Sequence, residues 1–394
     1  MKKIIIIIIF MFLFLNVNIS ALSEPKVKMT AGGYAHTVAL YEDGTVWCWG
    51  NDLDGYSINS ETPVQMENLE DIIYVAAGDF TSAAIKSDGT LWMWGAGWTW
   101  GFDGILNSYG SYKYYSDSPY LTDIIDVSMG CYFTAIVKSD GTVWILGPNS
   151  EDDRENQKIP KKVEGLPKIK KVAASWYHAA FLDIDGNVWF LEETWNMPRI
   201  PQMVEGLSNI TKISGGGWHF IALKENGTVY NFGENVTHNE NLTPKKVDGL
   251  SDIVDIAASA FGSVAVKSDG TVWSWGELEH GIGDGKNLKS EKPVKVLNIE
   301  NAVGISCGNW YVTVTKSDGS LMAWGSNYMG QLGNGNKINK AIPVHVCLSP
   351  EDCEINSEED YNKTINPNTK DIELIFLSLL ILFAFKFYRR AWHP

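Results

Sequence analysis

Apolar and polar positions alternate along this chain in short runs that stop at a glycine or at an Asp-Gly or Asn-Gly pair. Residues 75–95 show the pattern: Val75-Ala76-Ala77-Gly78, then Ser82-Ala83-Ala84-Ile85-Lys86, then Asp88-Gly89, then Thr90-Leu91-Trp92-Met93-Trp94-Gly95. Period-two runs of this length predict β-strands, and an Asp-Gly between two of them predicts a tight hairpin, because such turns need positive φ. The same arrangement recurs at Asp43-Gly44, Asp88-Gly89, Asp140-Gly141, Asp185-Gly186, Asn226-Gly227, Asp269-Gly270 and Asp318-Gly319, at spacings of 45, 52, 45, 41, 43 and 49 residues. A unit of that length cannot bury its own apolar face and must stack on its neighbours. A further short run precedes most next units, often opened by proline, as at Pro63-Val64, Pro201-Gln202, Pro244-Lys245 and Pro293-Val294. Proline is tolerated at the start of an edge strand. Four short strands in each of seven units predict an all-β chain, a seven-bladed β-propeller whose radial closure protects many short edges.

Within each unit the pairs Trp47/Trp49, Trp92/Trp94 and Trp273/Trp275 share one side of their strand, and Trp144/Leu146, Trp189/Leu191, Tyr230/Phe232 and Met322/Trp324 continue the column. These positions are expected to fill the core between blades. Gly50, Gly95, Gly147, Gly233, Gly276 and Gly325 end the same strand, where special backbone angles or close approach of other backbone are expected. The fourth unit has Glu192 instead, and its corner is expected to differ.

The ends change composition. Met1-Lys2-Lys3, the apolar run Ile4 to Leu15 and Ala21-Leu22-Ser23 read as an export signal over residues 1–23. The propeller is expected over 24–347, followed by an acidic polar stalk over 348–371 and a hydrophobic segment with a basic tail over 372–394. Asn366, Pro367, Asn368 and Thr369 precede that segment and resemble a Gram-positive sorting signal, with Lys370 where such signals usually carry Gly or Asn. A sorting signal and a plain membrane anchor remain alternatives. Both place the repeats outside the membrane as an exported, surface-attached chain, and the sorting-signal resemblance implies a Gram-positive bacterium. The net charge of -15 excludes a nucleic-acid backbone as partner, since that contact needs a positive footprint.

Five cysteines, Cys48, Cys131, Cys307, Cys347 and Cys353, are too few for a disulfide framework, though Cys347 and Cys353 are near enough to pair. No C-x-x-C pair, GxSxG, HExxH or phosphate-binding glycine motif occurs, so no catalytic residue, metal or cofactor is assigned.

Two places could bind. Aligning the units puts Ala35, Phe80, Tyr132, Tyr177, Trp218, Phe261 and Trp310 at one position, followed by His36, Thr81, Phe133, His178, His219, Gly262 and Tyr311. Equivalent positions form a ring about the axis, so the aromatics could be a contact surface or could fill the wall between blades. The long segment from Gly95 to Tyr120 adds Trp98, Trp100, Tyr112, Tyr114 and Tyr115. A connection that long and aromatic could meet a protein, stack on a glycan or extend its blade.

The last unit carries the string Trp324-Gly325-Ser326-Asn327-Tyr328-Met329-Gly330-Gln331-Leu332-Gly333-Asn334-Gly335, and earlier units keep its Trp-Gly start. On these residues the chain resembles the regulator-of-chromosome-condensation (RCC1-type) repeat family over about 320 of its residues, which implies a seven-bladed propeller. Its compact, Trp-rich units look like secreted members such as a β-lactamase inhibitor protein. The resemblance implies a monomeric, non-catalytic module that binds a protein or glycan. An envelope polysaccharide lyase or hydrolase, or an inhibitor of a secreted enzyme, is the alternative.

Overall fold

A computed structural model describes residues 26–51, 59–95, 122–131, 133–147, 160–192, 200–233, 242–348 and 353. The chain divides into two units, Met1–Val346 and Cys347–Pro394. In the second, a disulfide joins Cys347 and Cys353, with Cα atoms 5.2 Å apart. The signal, the anchor and Asn366, Pro367, Asn368 and Thr369 lie outside the described residues.

The first unit is a seven-bladed β-propeller of antiparallel blades. Among the described residues, six sheets have four strands, ordered as in the chain, and one has three. The first blade is typical: Val27–Gly32, His36–Tyr41, Val46–Asn51 and Asn59–Gln65 run from the axis outwards. The three-stranded blade, Ile72–Ala77, Thr81–Lys86 and Leu91–Gly95, is followed by the segment that carries Trp98, Trp100, Tyr112, Tyr114 and Tyr115, which lies outside the described residues.

Each Asp-Gly or Asn-Gly hairpin joins the second and third strands, with glycine φ between +78° and +88° at all seven. In most blades the turn continues into a small network. Asp88 Oδ1 accepts the Thr90 amide at 2.9 Å and its hydroxyl at 2.7 Å, and Thr90 Oγ1 accepts Trp92 Nε1 at 3.2 Å. Lys86 Nζ lies 5.3 Å from the Trp92 ring centre. The hydrogen bonds recur at Asp43-Thr45-Trp47, Asp140-Thr142-Trp144 and, at Trp273 Nε1, over 3.3 Å. The first tryptophan of each pair is thus half-buried with its N–H satisfied, whereas the second is buried between blades, as Trp49 and Trp324 are, at 0% exposure.

Core clusters each span one pair of neighbouring blades. Trp94 packs with Val38, Leu40, Val46 and Cys48 of the blade before it, and Trp275 with Ile221, Leu223 and Val229. The Trp-Gly glycines have positive φ, and a Cβ on Gly50 would lie 2.3 Å from the Ala35 carbonyl oxygen. Only glycine allows the third strand to end against that loop.

The ring closes without exchanging a strand between the ends of the chain, because each described sheet is made of consecutive strands. The last and first blades are held by side chains and by the Ser326–Gly335 loop. Thr37 Oγ1 lies 2.9 Å from Tyr311 Oη and 3.0 Å from the Gln331 carbonyl oxygen, and Trp49 Nε1 donates to that carbonyl at 2.9 Å. Asn327 organises the loop, its Nδ2 donating to the carbonyls of Asn336 and Ile338 while its Oδ1 accepts the Leu332 amide.

Candidate functional site on the loop face

The connections between first and second strands and the ends of the third strands share one face of the propeller, while the Asp-Gly hairpins lie on the other. Around the axis on the loop face, backbone hydrogen bonds pass from blade to blade. Cys131 N donates to Trp176 O, Trp176 N to Gly217 O, Gly217 N to Ala260 O, Ala260 N to Asn309 O, Asn309 N to Gly33 O and Tyr34 N to Asp79 O, at 3.0–3.2 Å. These bonds fix the loops that carry the aromatic position.

Four of the sequence-predicted residues come together through a fifth. Tyr177 and Trp218 have ring centres 5.3 Å apart; Trp176 meets Trp218 edge-on at 5.5 Å and Phe261 edge-on at 5.7 Å; Phe261 meets Trp310 at 5.1 Å. Tilted and edge-on contacts are the favoured arrangements for such rings. The arc is continuous over four blades, yet its members are only half-buried, and Phe261 is 42% exposed. Phe80 does not join it; its ring packs 5.7 Å from Tyr34, two blades beyond Trp310. Tyr132 lies outside the described residues, and Ala35 leaves the first blade without an aromatic there.

The sequence alignment missed Trp176, Tyr34 and Tyr328. Trp176 and Tyr34 precede the aligned column, at a position otherwise held by Asp79, Cys131, Gly217, Ala260 and Asn309, so no periodic signal marks them. Gly217 makes room for Trp176, since a Cβ there would lie 3.1 Å from the indole. Tyr328 stands on the loop face, 38% exposed, and hydrogen-bonds Tyr34; burial first, then that bond, push its hydroxyl up to about 12.

The position after the aromatic one is a seam between blades. His36 Nε2 pairs with Ser82 Oγ at 2.9 Å, His219 Nε2 with Ser263 Oγ at 2.8 Å, and Tyr311 with Thr37, each reaching the following blade. His178 stacks on Phe190, with ring centres 5.7 Å apart. Burial pushes the His219 imidazole down to about 4, so it is neutral at pH 7.

Beneath the loops the first strands enclose an axial channel of about 710 Å³. One wall presents Asp126, Lys171, Lys212 and Asp255 from four successive blades, as two ion pairs; Asp126 to Lys171 spans 2.9 Å. The second carboxylate oxygen of each aspartate accepts a backbone N–H of the next blade, Val172 at 2.8 Å and Ile305 at 3.1 Å. These carboxylates are therefore spent on holding blades together. At the mouth, Asp79 Oδ1 accepts Asn309 Nδ2 at 3.3 Å; burial raises its carboxyl above the usual range, against the lowering effect of bonds from Cys131 and Asn309. Among the described residues no three His, Cys, Asp or Glu side chains are grouped to hold a metal ion.

Five segments match models of the regulator of chromosome condensation (RCC1) repeat: residues 27–55, 72–97, 210–238, 253–281 and 318–355. Five of the seven blades thus carry a match to the RCC1-type repeat. Among solved structures it is similar to yeast RCC1 (Prp20) bound to Kap60, at 17% identity and TM-score 0.62, covering 86% of this chain and 94% of that one. Prp20p from Saccharomyces cerevisiae, studied with its binding to Gsp1p and histones, matches at 17% identity and TM-score 0.63 over 87% and 98%. Human WBSCR16 matches at 18% identity and TM-score 0.61 over 74% and 86%. At these identities the likeness shows the fold. No curated protein sequence matches.

The matches do not tie the chain to secreted β-lactamase-inhibitor-like members. They also overturn the expected surface location. The yeast RCC1 proteins, matched over 86% and 87% of this chain, are not named as secreted cell-surface proteins, and among the described residues no helix is long and apolar enough to cross a membrane.

Proposed function

We propose that this chain is a non-catalytic protein-binding propeller that meets its partner through the aromatic arc on its loop face. The observation that carries this reading is the arc itself: Tyr177, Trp218, Trp176, Phe261 and Trp310 are in mutual contact, fixed by a backbone ring beneath them, and still half-exposed. Rigid aromatics held open to solvent have the composition and low entropic cost of interface hot spots. The similar yeast RCC1 structures are described with protein partners, Kap60 for one and Gsp1p and histones for the other, which supports a protein rather than a small molecule as ligand. The channel carboxylates are occupied by lysines and backbone N–H groups, which argues against a hydrolytic pair there.

The test is affinity capture from the host with the full chain, beside a copy carrying Phe261→Ala and Trp310→Ala whose circular dichroism matches the parent. A protein held by the parent and lost by the variant is the expected result. Equal retention by both chains would move the contact off the arc.

A further inference from the structure

We infer that the arc receives a basic segment of its partner, an extended stretch bearing lysine or arginine; this rests on the protein-binding reading above. The aromatic groups of the loop face are fringed by carboxylates. Glu277 stands opposite Phe261 in the strand register and is exposed. Glu279 is exposed, two residues on, and its charge acts on Tyr328, which bonds Tyr34 beside Phe80. Both glutamates belong to the blade of Phe261, within the arc; Glu279 is linked to the Tyr34–Phe80 pair only through Tyr328. Asp79 sits at the axis between the arc and that pair. The neighbouring basic side chains are His280, 3.7 Å from Glu279, and Lys289, opposite Glu277 in register.

The wider field has the same sign. The chain as a whole carries -15. Such a field attracts a cationic ligand from solution, and the faces of half-exposed tryptophans stabilise an ammonium or guanidinium once it has docked. A nucleic acid or a second copy of this chain would bring more negative charge to the same face, so neither fits.

A random-peptide phage library panned on the full chain tests this without assuming a sequence. Peptides that bind the parent and not the Phe261→Ala/Trp310→Ala chain are expected to be enriched in Lys and Arg. A synthesised winner is expected to bind about tenfold more weakly to a Glu277→Gln/Glu279→Gln chain, and more weakly as salt rises. Arc-dependent peptides that are neutral or acidic, or unaffected by the glutamine substitutions, would overturn the inference while leaving the protein-binding reading intact. Recovery of no arc-dependent peptide would overturn it as well, and host-protein capture would then decide the broader reading separately.

Discussion

Gly333→Ala probes how this propeller closes. Gly333 lies in the loop of the last blade that covers the first, with φ at +67°. A Cβ there would fall 2.6 Å from Nε1 of Trp49, 2.9 Å from Cδ1 and 3.0 Å from Cε2. The indole has nowhere to go: it is 0% exposed and its N–H is committed to the Gln331 carbonyl. The left-handed backbone costs an alanine about 1–2 kcal/mol, and forcing a methyl into packed surroundings costs a further ~1–3 kcal/mol. Urea unfolding of the full chain, followed by far-UV circular dichroism, should therefore show a loss of roughly 2–5 kcal/mol. Trp49→Phe removes the indole Nε1, the nearest of the clashing atoms, while leaving the dihedral cost. In the double variant the losses should be less than additive by about 1–2 kcal/mol. A Gly333→Ala chain within about 0.5 kcal/mol of the parent, or strict additivity with Trp49→Phe, would refute closure by this contact.

Tyr311→Phe and Thr37→Val should each cost only about 1 kcal/mol, because His36 O keeps the Gly33 amide and Gln331 O keeps Trp49 Nε1; a double-mutant cycle by urea unfolding should show coupling between them. His219 has a folded pKa of about 4, below its unfolded value of about 6.5, so the unfolded state binds the extra proton between those pH values. Its contribution should thus be intact above pH 6.5 and fall by about 3 kcal/mol toward pH 4. Parent and His219→Asn chains titrated in parallel should diverge over that window. Phe261→Ala should change stability by less than about 1 kcal/mol, since the ring is 42% exposed, and this separates its binding role from a core role.

The blades were legible because their signal is periodic and local. Asp-Gly marks each hairpin, and the Trp-x-Trp-Gly strand carries its own face pattern. The sequence could not show that the two tryptophans differ, the first satisfied by Thr45, Thr90, Thr142 or Thr271 and the second sealed between blades. It also could not pair His36 with Ser82 or His219 with Ser263, since those partners are 46 and 44 residues apart and neither type is diagnostic of the other. The aromatic column was visible as a column, yet its connectivity depends on Trp176, which breaks the repeat. Phe80 shares the column and stands apart from the arc because Ala35 interrupts it. The ends of the chain were read from composition alone, with no repeat to check them, and there the expected location failed.

A photo-crosslinking amino acid placed in turn at Phe261, on the loop face, and at Val254, an exposed residue on the channel-lining first strand of the same blade nearer the hairpin face, tests the central claim most directly. The account predicts a host protein crosslinked from position 261 and not from 254. Crosslinking from 254 with none from 261 would contradict it.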